Sequence, residues 1–208
     1  MIVELFGCPG AGKTYILNLI KGNTKIAMVS TDKHKAALIS LAKSAVIYLP
    51  SMMVLKYRLK MAISKKKYTP IYIDKSVDYF LNKIIIVAFG YNRWPSDKNL
   101  YMDEGIIHRV ISLAVNYNLE IGEIKNLLRI LEPYISRANI FFLDVPEKVC
   151  FKSVHERKRK DCEMDFFDDA TMIKYIQAYS KYFNFVCDFY RYQRITREKY
   201  SVLEDMIK

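Results

Sequence analysis

The chain is poor in the residues that separate domains. Its 208 residues include only seven glycines and six prolines, and no Gly/Ser-rich or Pro-rich stretch divides it. The longest uninterrupted apolar run, Ile84 to Phe89, is far short of the roughly 20 residues that a membrane-spanning helix needs. Because 51% of the residues are hydrophobic and 26% are charged, the composition argues against a disordered or fibrous chain. We expect one domain over residues 1–208.

Cysteine and histidine are also scarce, and their spacing argues against a structural zinc site. No C-x-x-C pair occurs among the four cysteines, and there are three histidines: Cys8, Cys150, Cys162, Cys187, His34, His108 and His155. The first residues enter an apolar run without a basic leader, so we expect no secretory signal. Scattered thiols in such a chain fit a reducing compartment, and a cytoplasmic location is expected.

Positive charge, by contrast, is in excess. Lysine and arginine number 33 against 22 acidic residues, which gives a formal net charge of +11. Such a balance favours anionic partners, among them nucleotides, phosphorylated metabolites, nucleic acid and membrane surfaces. A general bias toward Lys, Ile, Tyr and Asn accounts for the excess equally well, so charge alone selects none of these partners.

The first 20 residues contain the most specific motif of the chain. Ile2 to Phe6 is a short apolar run typical of a buried strand, and Tyr15 to Ile20 has apolar residues at helical spacing. Between them stands a full match to G-x-x-x-x-G-K-[ST], formed by Gly7, Cys8, Pro9, Gly10, Ala11, Gly12, Lys13 and Thr14. A strand before this pattern and a helix after it are the context of a nucleotide-binding P-loop. The motif therefore predicts a site for ATP.

Each residue type in this loop has a physical reason. Glycines let backbone N–H groups turn inward around phosphate oxygens, and the following helix presents its positive end to the same anion. Lys13 is expected to reach the β- and γ-phosphates, and the Thr14 hydroxyl to ligate Mg²⁺. Tyr15 is included among the nucleotide-binding positions, and Cys8 is interpreted as a small filler.

The rest of the chain alternates between strand-like and helix-like segments, which predicts a parallel sheet. Strands are expected at 25–30, 100–102, 139–145 and 190–195, and helices at 34–43, 53–67, from Ser76 onward, 106–118, after Pro146, 166–189 and at the end of the chain. The run Ile84 to Phe89 fits either the middle of the helix from Ser76 or a strand. We expect a three-layer α/β P-loop kinase fold with a central parallel sheet of about five strands.

A second informative segment runs from Leu100 to Gly105. A short apolar strand that ends in an acid fits a Walker B element, whose carboxylate holds the Mg²⁺ of the nucleotide. Asp103 is assigned to this role, and Glu104 is a candidate for activating the attacking group. Arg109 follows Glu104 closely enough to face the same cleft or to form a surface ion pair.

Two further positions have alternative interpretations. The stretch after residue 155 is strongly basic, which fits either a solvated face or a lid over about 155–167. In a lid, Arg157 and Arg159 would stabilise the transition state. Asp32 follows the second predicted strand, where it could act as a base toward the acceptor or cap the next helix.

In the order of these elements the chain resembles the nucleoside-monophosphate-kinase group of P-loop proteins, and it is most similar to thymidylate-kinase-like members. The resemblance rests on GCPGAGKT at 7–14, LYMDEG at 100–105 and a strand–Pro–Glu–helix–arginine stretch at 141–161. It implies a kinase that uses ATP and Mg²⁺. Two departures stand out: Asp103-Glu104-Gly105 replaces the Asp-Arg pair of thymidylate kinases, and Lys152 stands where an arginine is usual.

We therefore expect an ATP- and Mg²⁺-dependent phosphotransferase acting on a small acceptor, with a nucleotide or nucleoside favoured. Residues 33–98 are expected to build the acceptor site. The alternative is an ATPase or a nucleic-acid-acting module, such as a 5′-hydroxyl polynucleotide kinase. The Asp103-Glu104 pair and the net charge of +11 support that alternative. Nucleic acid as a partner and a homodimer both stay open.

Overall fold

We describe the fold from a computed structural model of the chain. The described residues are 1–22, 27–28, 49–63, 69–157 and 162–199. The predictions for Asp32, for Arg159, for the helix at 34–43, for most of the strand at 25–30 and for the helix at the end of the chain lie outside these residues.

A five-stranded parallel sheet is the centre of the described part of the chain. Its strands are β1 (Ile2–Phe6), β2 (Ala27–Met28), β3 (Leu100–Met102), β4 (Ala138–Leu143) and β5 (Gln193–Ile195). They lie in the order β2-β3-β1-β4-β5, and every neighbouring pair is parallel. The predicted α/β fold with a parallel sheet of about five strands is confirmed.

Helices form the connections that parallel strands require. In the described ranges they are α1 (Lys13–Gly22), α2 (Leu49–Ala62), α3 (Val77–Arg93), α4 (Ile106–Tyr117), α5 (Ile121–Ile135), α6 (Glu147–Glu156) and α7 (Asp169–Tyr190), with a 3-10 turn at Glu163–Phe166. Helix α4 packs against α3, α5 and α7, and α6 packs against α7. None of these helices has the length and apolar content to cross a membrane.

The core is organised around β1 and α4. All five residues of β1 are buried, as expected for a parallel strand covered on both faces. In α4 the side chains of Ile106, Ile107, Val110 and Ile111 are fully buried, and only Arg109 and Ser112 of this helix are partly buried, so most of its surface lies in the core. Burial of each such side chain stabilises the fold by about 1.5–3 kcal/mol. The loop after β1 and the turn before α4 are therefore anchored in the best-packed part of the molecule.

Helix α3 resolves the ambiguity of the apolar run at 84–89. The run lies inside the helix, and Ser76 is the N-cap, whose hydroxyl accepts a hydrogen bond from the backbone N–H of Tyr79 at 3.3 Å. Ile84, Ile85 and Ala88 are buried against the core. The predicted helix starting after Ser76 is present.

Three helices differ from the sequence-based predictions. Helix α2 begins at Leu49 instead of Met53, and α7 begins at Asp169, after a separate 3-10 turn, instead of Phe166. Helix α5 has no counterpart among the predicted elements. Its sequence nevertheless carries helix signals, because Glu120 and Glu123 form a capping box at its start.

Candidate active site

The two sequence motifs meet at the carboxyl ends of two neighbouring strands of the sheet. Strands β1 and β3 are parallel neighbours, so the loop that follows β1 and the turn that follows β3 lie side by side. Thr14 Oγ1 of the first motif donates a hydrogen bond to Asp103 Oδ2 of the second at 2.6 Å, although 89 residues separate them. Both residues line one cleft.

The glycines of the loop are required by its shape. Gly10 and Gly12 have φ angles of 82° and 95°, in the left-handed region that side chains rarely adopt. A Cβ atom on Gly10 would lie 2.3 Å from the carbonyl oxygen of Cys150, and one on Gly7 would lie 2.7 Å from that of Leu143. The loop therefore fits closely against β4 and α6.

Three of the predicted nucleotide-binding residues do not line the cleft. Cys8 and Ala11 are buried, and with Gly7 they are absent from the cleft lining formed by Pro9, Gly10, Gly12, Lys13, Thr14 and Tyr15. A hydrogen bond with the Cys150 thiol, together with burial, raises the pKa of the Cys8 thiol. Its place in the structure agrees with its interpretation as a filler.

Lys13 is the first residue of α1, directly after the loop, and it is partly buried. Its Nζ donates to the carbonyl oxygens of Gly7 at 2.8 Å and Cys8 at 3.1 Å. Burial lowers the pKa of this ammonium, against the opposing effect of Asp103 and Glu104 nearby. A lysine in this position presents its charge to an anion held by the loop.

Thr14 and Asp103 together fit a Mg²⁺ ion. A hydroxyl and a carboxylate are hard oxygen ligands, and they lie at hydrogen-bond distance from each other. Among the described residues no group of three or more His, Cys, Asp or Glu side chains could hold a metal. Mg²⁺ does not need such a group, because it is usually bound through one or two carboxylates, substrate phosphates and water.

Glu104 and Arg109 line the same cleft as Thr14 and Asp103. Arg109 Nη2 lies 3.6 Å from Glu104 Oε2, and the side chains are 14% and 43% exposed, respectively. Arg109 therefore lies in the cleft wall, and its contact with Glu104 is not the surface ion pair of the alternative interpretation, because the arginine is mostly buried. The partial exposure of Glu104 leaves its carboxylate open to the cleft.

Arg157 lines the cleft, but its charge is paired. Its Nε donates to Asp165 Oδ1 at 3.0 Å, and its Nη2 contacts the same oxygen and Cys162 Sγ. Burial raises the pKa of Asp165, but hydrogen bonds from Cys162 and Arg157 outweigh it and hold that pKa below its ordinary value. Residues at both ends of the predicted lid are thus joined by an ion pair.

Aromatic side chains from three separate segments also line the cleft, and we refer to this part of the lining as the far wall. It is lined by Ile73, Tyr79, Phe80 and Lys83 from the segment that includes α3, by His108 and Ser112 from α4, and by Tyr175 and Tyr179 from α7. The cleft has a volume of about 930 Å³, at the upper end of the range for small-molecule sites. Part of the predicted acceptor segment 33–98 therefore lies in the cleft wall.

Hydrogen bonds order the polar groups of this wall. The Tyr179 hydroxyl donates to Ser112 Oγ at 2.8 Å and accepts from the Tyr175 hydroxyl at 3.3 Å. The His108 ring stacks on that of Tyr179, with 5.7 Å between centroids. Burial, followed by the charges of Lys13 and Arg109, lowers the pKa of His108 well below its ordinary value.

Arg197 contacts the loop but was missed by motif reasoning. Its Nε donates to the Ala11 carbonyl at 2.8 Å, and its Nη2 donates to the Gly10 carbonyl at 2.7 Å and to Ser153 Oγ at 3.1 Å. It thereby joins the loop to α6 and to the segment after β5. No sequence signal links Arg197 to a loop 186 residues away.

Comparison with family models and with curated proteins finds no match. Among solved structures, the chain is similar to deoxyadenosine kinase from M. mycoides with bound dATP, at a TM-score of 0.56 and 12% sequence identity, covering 100% of this chain and 98% of that one. The structures of that kinase with the products dCMP and a flexible dCDP, and with bound dCTP, give TM-scores of 0.57 and 0.52 at 12% and 13% identity, with the same coverage. The chain therefore has a P-loop nucleoside kinase fold.

Proposed function

We propose that the protein is a phosphotransferase that uses ATP and Mg²⁺ to phosphorylate a small acceptor, a nucleoside or nucleotide. The observation that carries this proposal is the 2.6 Å contact between Thr14 and Asp103, because it joins the P-loop and the acid after β3 in one metal-binding position. The likeness in fold to a deoxyadenosine kinase supports a nucleoside or nucleotide as the acceptor.

In this proposal the P-loop and Asp103 bind the phosphate donor, ATP, with its Mg²⁺. Lys13 and the loop amides hold the ATP phosphates, while Thr14 and Asp103 hold Mg²⁺. The ion, when bound, neutralises charge on the phosphates. Arg157 and Arg159, in a lid over about 155–167, add positive charge where negative charge develops in the transition state.

The acceptor binds at the far wall of the cleft. Tyr79, which is 37% exposed, offers a ring surface that suits a planar base, and the buried rings of Phe80 and Tyr175 also line the cleft. Glu104 orients the acceptor hydroxyl, with Asp32 as the alternative for this role. We do not assign thymidylate as the acceptor, because Glu104 stands where thymidylate kinases carry an arginine.

The test is an acceptor screen. ADP release from ATP and Mg²⁺ is measured with nucleosides, nucleoside monophosphates, sugars and 5′-hydroxyl oligonucleotides, with Asp103→Asn as the impaired control. We expect ADP release that depends on a nucleoside or nucleotide. Release that is the same with every acceptor would instead identify an ATPase. Release that needs an oligonucleotide, together with binding that collapses as salt is raised, would identify a polynucleotide kinase.

A further inference from the structure

A carboxyl group is buried beneath the turn that carries Asp103. Glu4 lies in β1, and its side chain is 0% exposed. The other four residues of β1 are apolar, so Glu4 is the one ionisable side chain of this strand. Burial of an ionisable group is costly unless its oxygens accept hydrogen bonds. The question is therefore what the Glu4 carboxylate does there.

The carboxylate accepts hydrogen bonds from the first turn of α4. Glu4 Oε1 accepts from the backbone N–H groups of Ile107 at 2.7 Å and His108 at 3.4 Å, and Oε2 accepts from that of Ile106 at 2.9 Å. The Tyr91 hydroxyl of α3 also donates to Oε2, at 2.9 Å. Burial raises the pKa of Glu4 to about 7, against the lowering effect of these four donors.

Helix α4 has no cap of its own. The first N–H groups of a helix lack partners within the helix, and the residue at the N-cap of α4, Gly105, has no side chain to supply one. Glu4 supplies the oxygens from a neighbouring strand, and a carboxylate at this end of a helix is favoured by the helix dipole. The start of α4 is therefore held by β1.

Gly105 shows how closely these parts fit. A Cβ atom at this position would lie 2.1 Å from Glu4 Cδ and 2.3 Å from the Tyr91 hydroxyl oxygen. Its φ angle of −77° is ordinary for any residue, so the requirement for glycine is one of space. The turn formed by residues 103–105 has no room to shift toward β1.

We propose that Glu4 is a positioning residue for the metal-binding pair. Strand β1 runs into the P-loop that carries Thr14, and Glu4 ties this strand to the helix that begins just after Asp103. In the β1–β3 register Glu4 lies opposite Met102, the residue before Asp103. Glu4 thus fixes Asp103 opposite Thr14 without contacting nucleotide or metal. This role rests on the proposed Mg²⁺ binding by Thr14 and Asp103.

The test compares Glu4→Gln with a matched control, Glu123→Gln. Glu4→Gln keeps the size of the side chain but replaces an acceptor oxygen by an NH₂ group that faces N–H donors. Glu123 is also a buried capping carboxylate, 9% exposed, and accepts from the backbone N–H of Glu120 at 2.8 Å. It belongs to α5, which does not line the cleft. Each variant loses a buried carboxylate that caps a helix, but only Glu4 lies beneath the turn that carries Asp103.

Two measurements are made on each protein: hydrogen exchange of the amides at 106 and 107, and ADP affinity as a function of Mg²⁺ with EDTA as the zero point. In Glu4→Gln we expect faster exchange at these amides. We also expect the Mg²⁺ concentration for half-maximal enhancement of ADP binding to rise about 10- to 100-fold, the cost typical of losing a group that orients a metal ligand. ADP affinity in EDTA should stay unchanged, and Glu123→Gln should match the wild type in both measurements.

A Glu4→Gln protein with wild-type Mg²⁺ dependence overturns the positioning role, even if it is less stable. A Glu123→Gln protein with the same Mg²⁺ defect also overturns it, because the defect would then follow from general destabilisation. If Glu4→Gln does not fold, Tyr91→Phe removes one of the four donors and should shift the Mg²⁺ dependence in the same direction by a smaller factor; no shift overturns the proposal. A wild-type protein whose ADP binding ignores Mg²⁺ overturns the metal pair itself, and with it the proposed function.

Discussion

At the P-loop one contiguous segment supplies most of the polar groups of the cleft, joined by Asp103 after β3, whereas at the far wall side chains from distant segments converge. Pro9, Gly10 and the residues from Gly12 to Tyr15 provide the loop surface, with Lys13 and Thr14 as its main polar side chains. The far wall takes Tyr79 from α3, Ser112 from α4 and Tyr179 from α7. The loop end suits the phosphates common to all nucleoside triphosphates, since backbone amides and one lysine recognise no base. In the proposed function, the far wall is the part of the cleft that selects the acceptor.

The largest effect is expected at the loop end. Lys13→Ala should lower turnover about 10²- to 10³-fold, the usual cost of removing a positioned donor from a developing negative charge. The loss should be the same for every acceptor, because Lys13 serves the transferred phosphate. The measurement is kcat with saturating ATP and acceptor, with a thermal melt to confirm folding. A mutant with the wild-type rate would contradict the P-loop assignment.

Lys83→Ala is the matched variant at the far end. Its ammonium lines the cleft and lies 4.4 Å from the centre of the Tyr79 ring. If the P-loop binds ATP and the far wall binds the acceptor, as proposed, this change alters the KM for the acceptor and leaves the KM for ATP unchanged. A changed KM for ATP would mean that the division is wrong.

The next effect tests the lid. Arg157→Ala and Arg159→Ala, assayed separately, should each lower kcat about 30- to 1000-fold, equivalent to about 2–4 kcal/mol, with a smaller change in the KM for ATP. The reason is that a lid arginine meets the phosphates only in the closed site. If both variants keep kcat within a factor of about three, under 1 kcal/mol, the lid hypothesis fails.

Asp165→Asn separates a catalytic role of Arg157 from a structural one. The Asp165 side chain is 3% exposed and pairs with Arg157, so Arg157→Ala leaves a buried carboxylate without its cation. If the pair only stabilises the fold, both variants lower the melting temperature and neither lowers kcat at temperatures where they are folded. If Arg157 also acts in the lid, kcat falls in Arg157→Ala alone.

Asp103→Asn is expected to have an intermediate effect. A neutral amide is a poorer ligand for a hard cation than a carboxylate, so the Mg²⁺ requirement should rise by at least about tenfold, as it does when metal sites lose an orienting partner. The measurement is the rate as a function of Mg²⁺ at fixed ATP. An unchanged Mg²⁺ dependence would show that another residue holds the metal.

The contrast between one contiguous segment and several converging segments also explains which parts of the fold and site could be predicted from the sequence. The P-loop, β1 and the acid after β3 were predictable because each lies within a short segment whose spacing is dictated by local geometry. Glu4 was not, because a carboxylate in an apolar strand has meaning only beside the N-terminus of α4, 102 residues later in the chain. Ser112 and Tyr179 meet only because α4 packs against α7. Long-range packing of this kind leaves no periodic pattern.

The smallest predicted effect concerns the support of the loop. Arg197 donates to the carbonyl oxygens of Gly10 and Ala11, and these contacts hold the loop in the shape that binds phosphate. Since the loop binds substrate and transition state alike, Arg197→Ala should raise the KM for ATP with little change in kcat. Loss of about 1.4 kcal/mol corresponds to a tenfold increase. Ser153→Ala removes only the third contact of Arg197, at 3.1 Å, and leaves the two contacts with the loop in place, so it should raise the KM for ATP less than Arg197→Ala does. A kcat effect of Arg197→Ala larger than its KM effect would mean that Arg197 acts on the transferred phosphate. Catalysis at the P-loop would then depend on a side chain from a distant segment, as acceptor recognition at the far wall does in the proposed function.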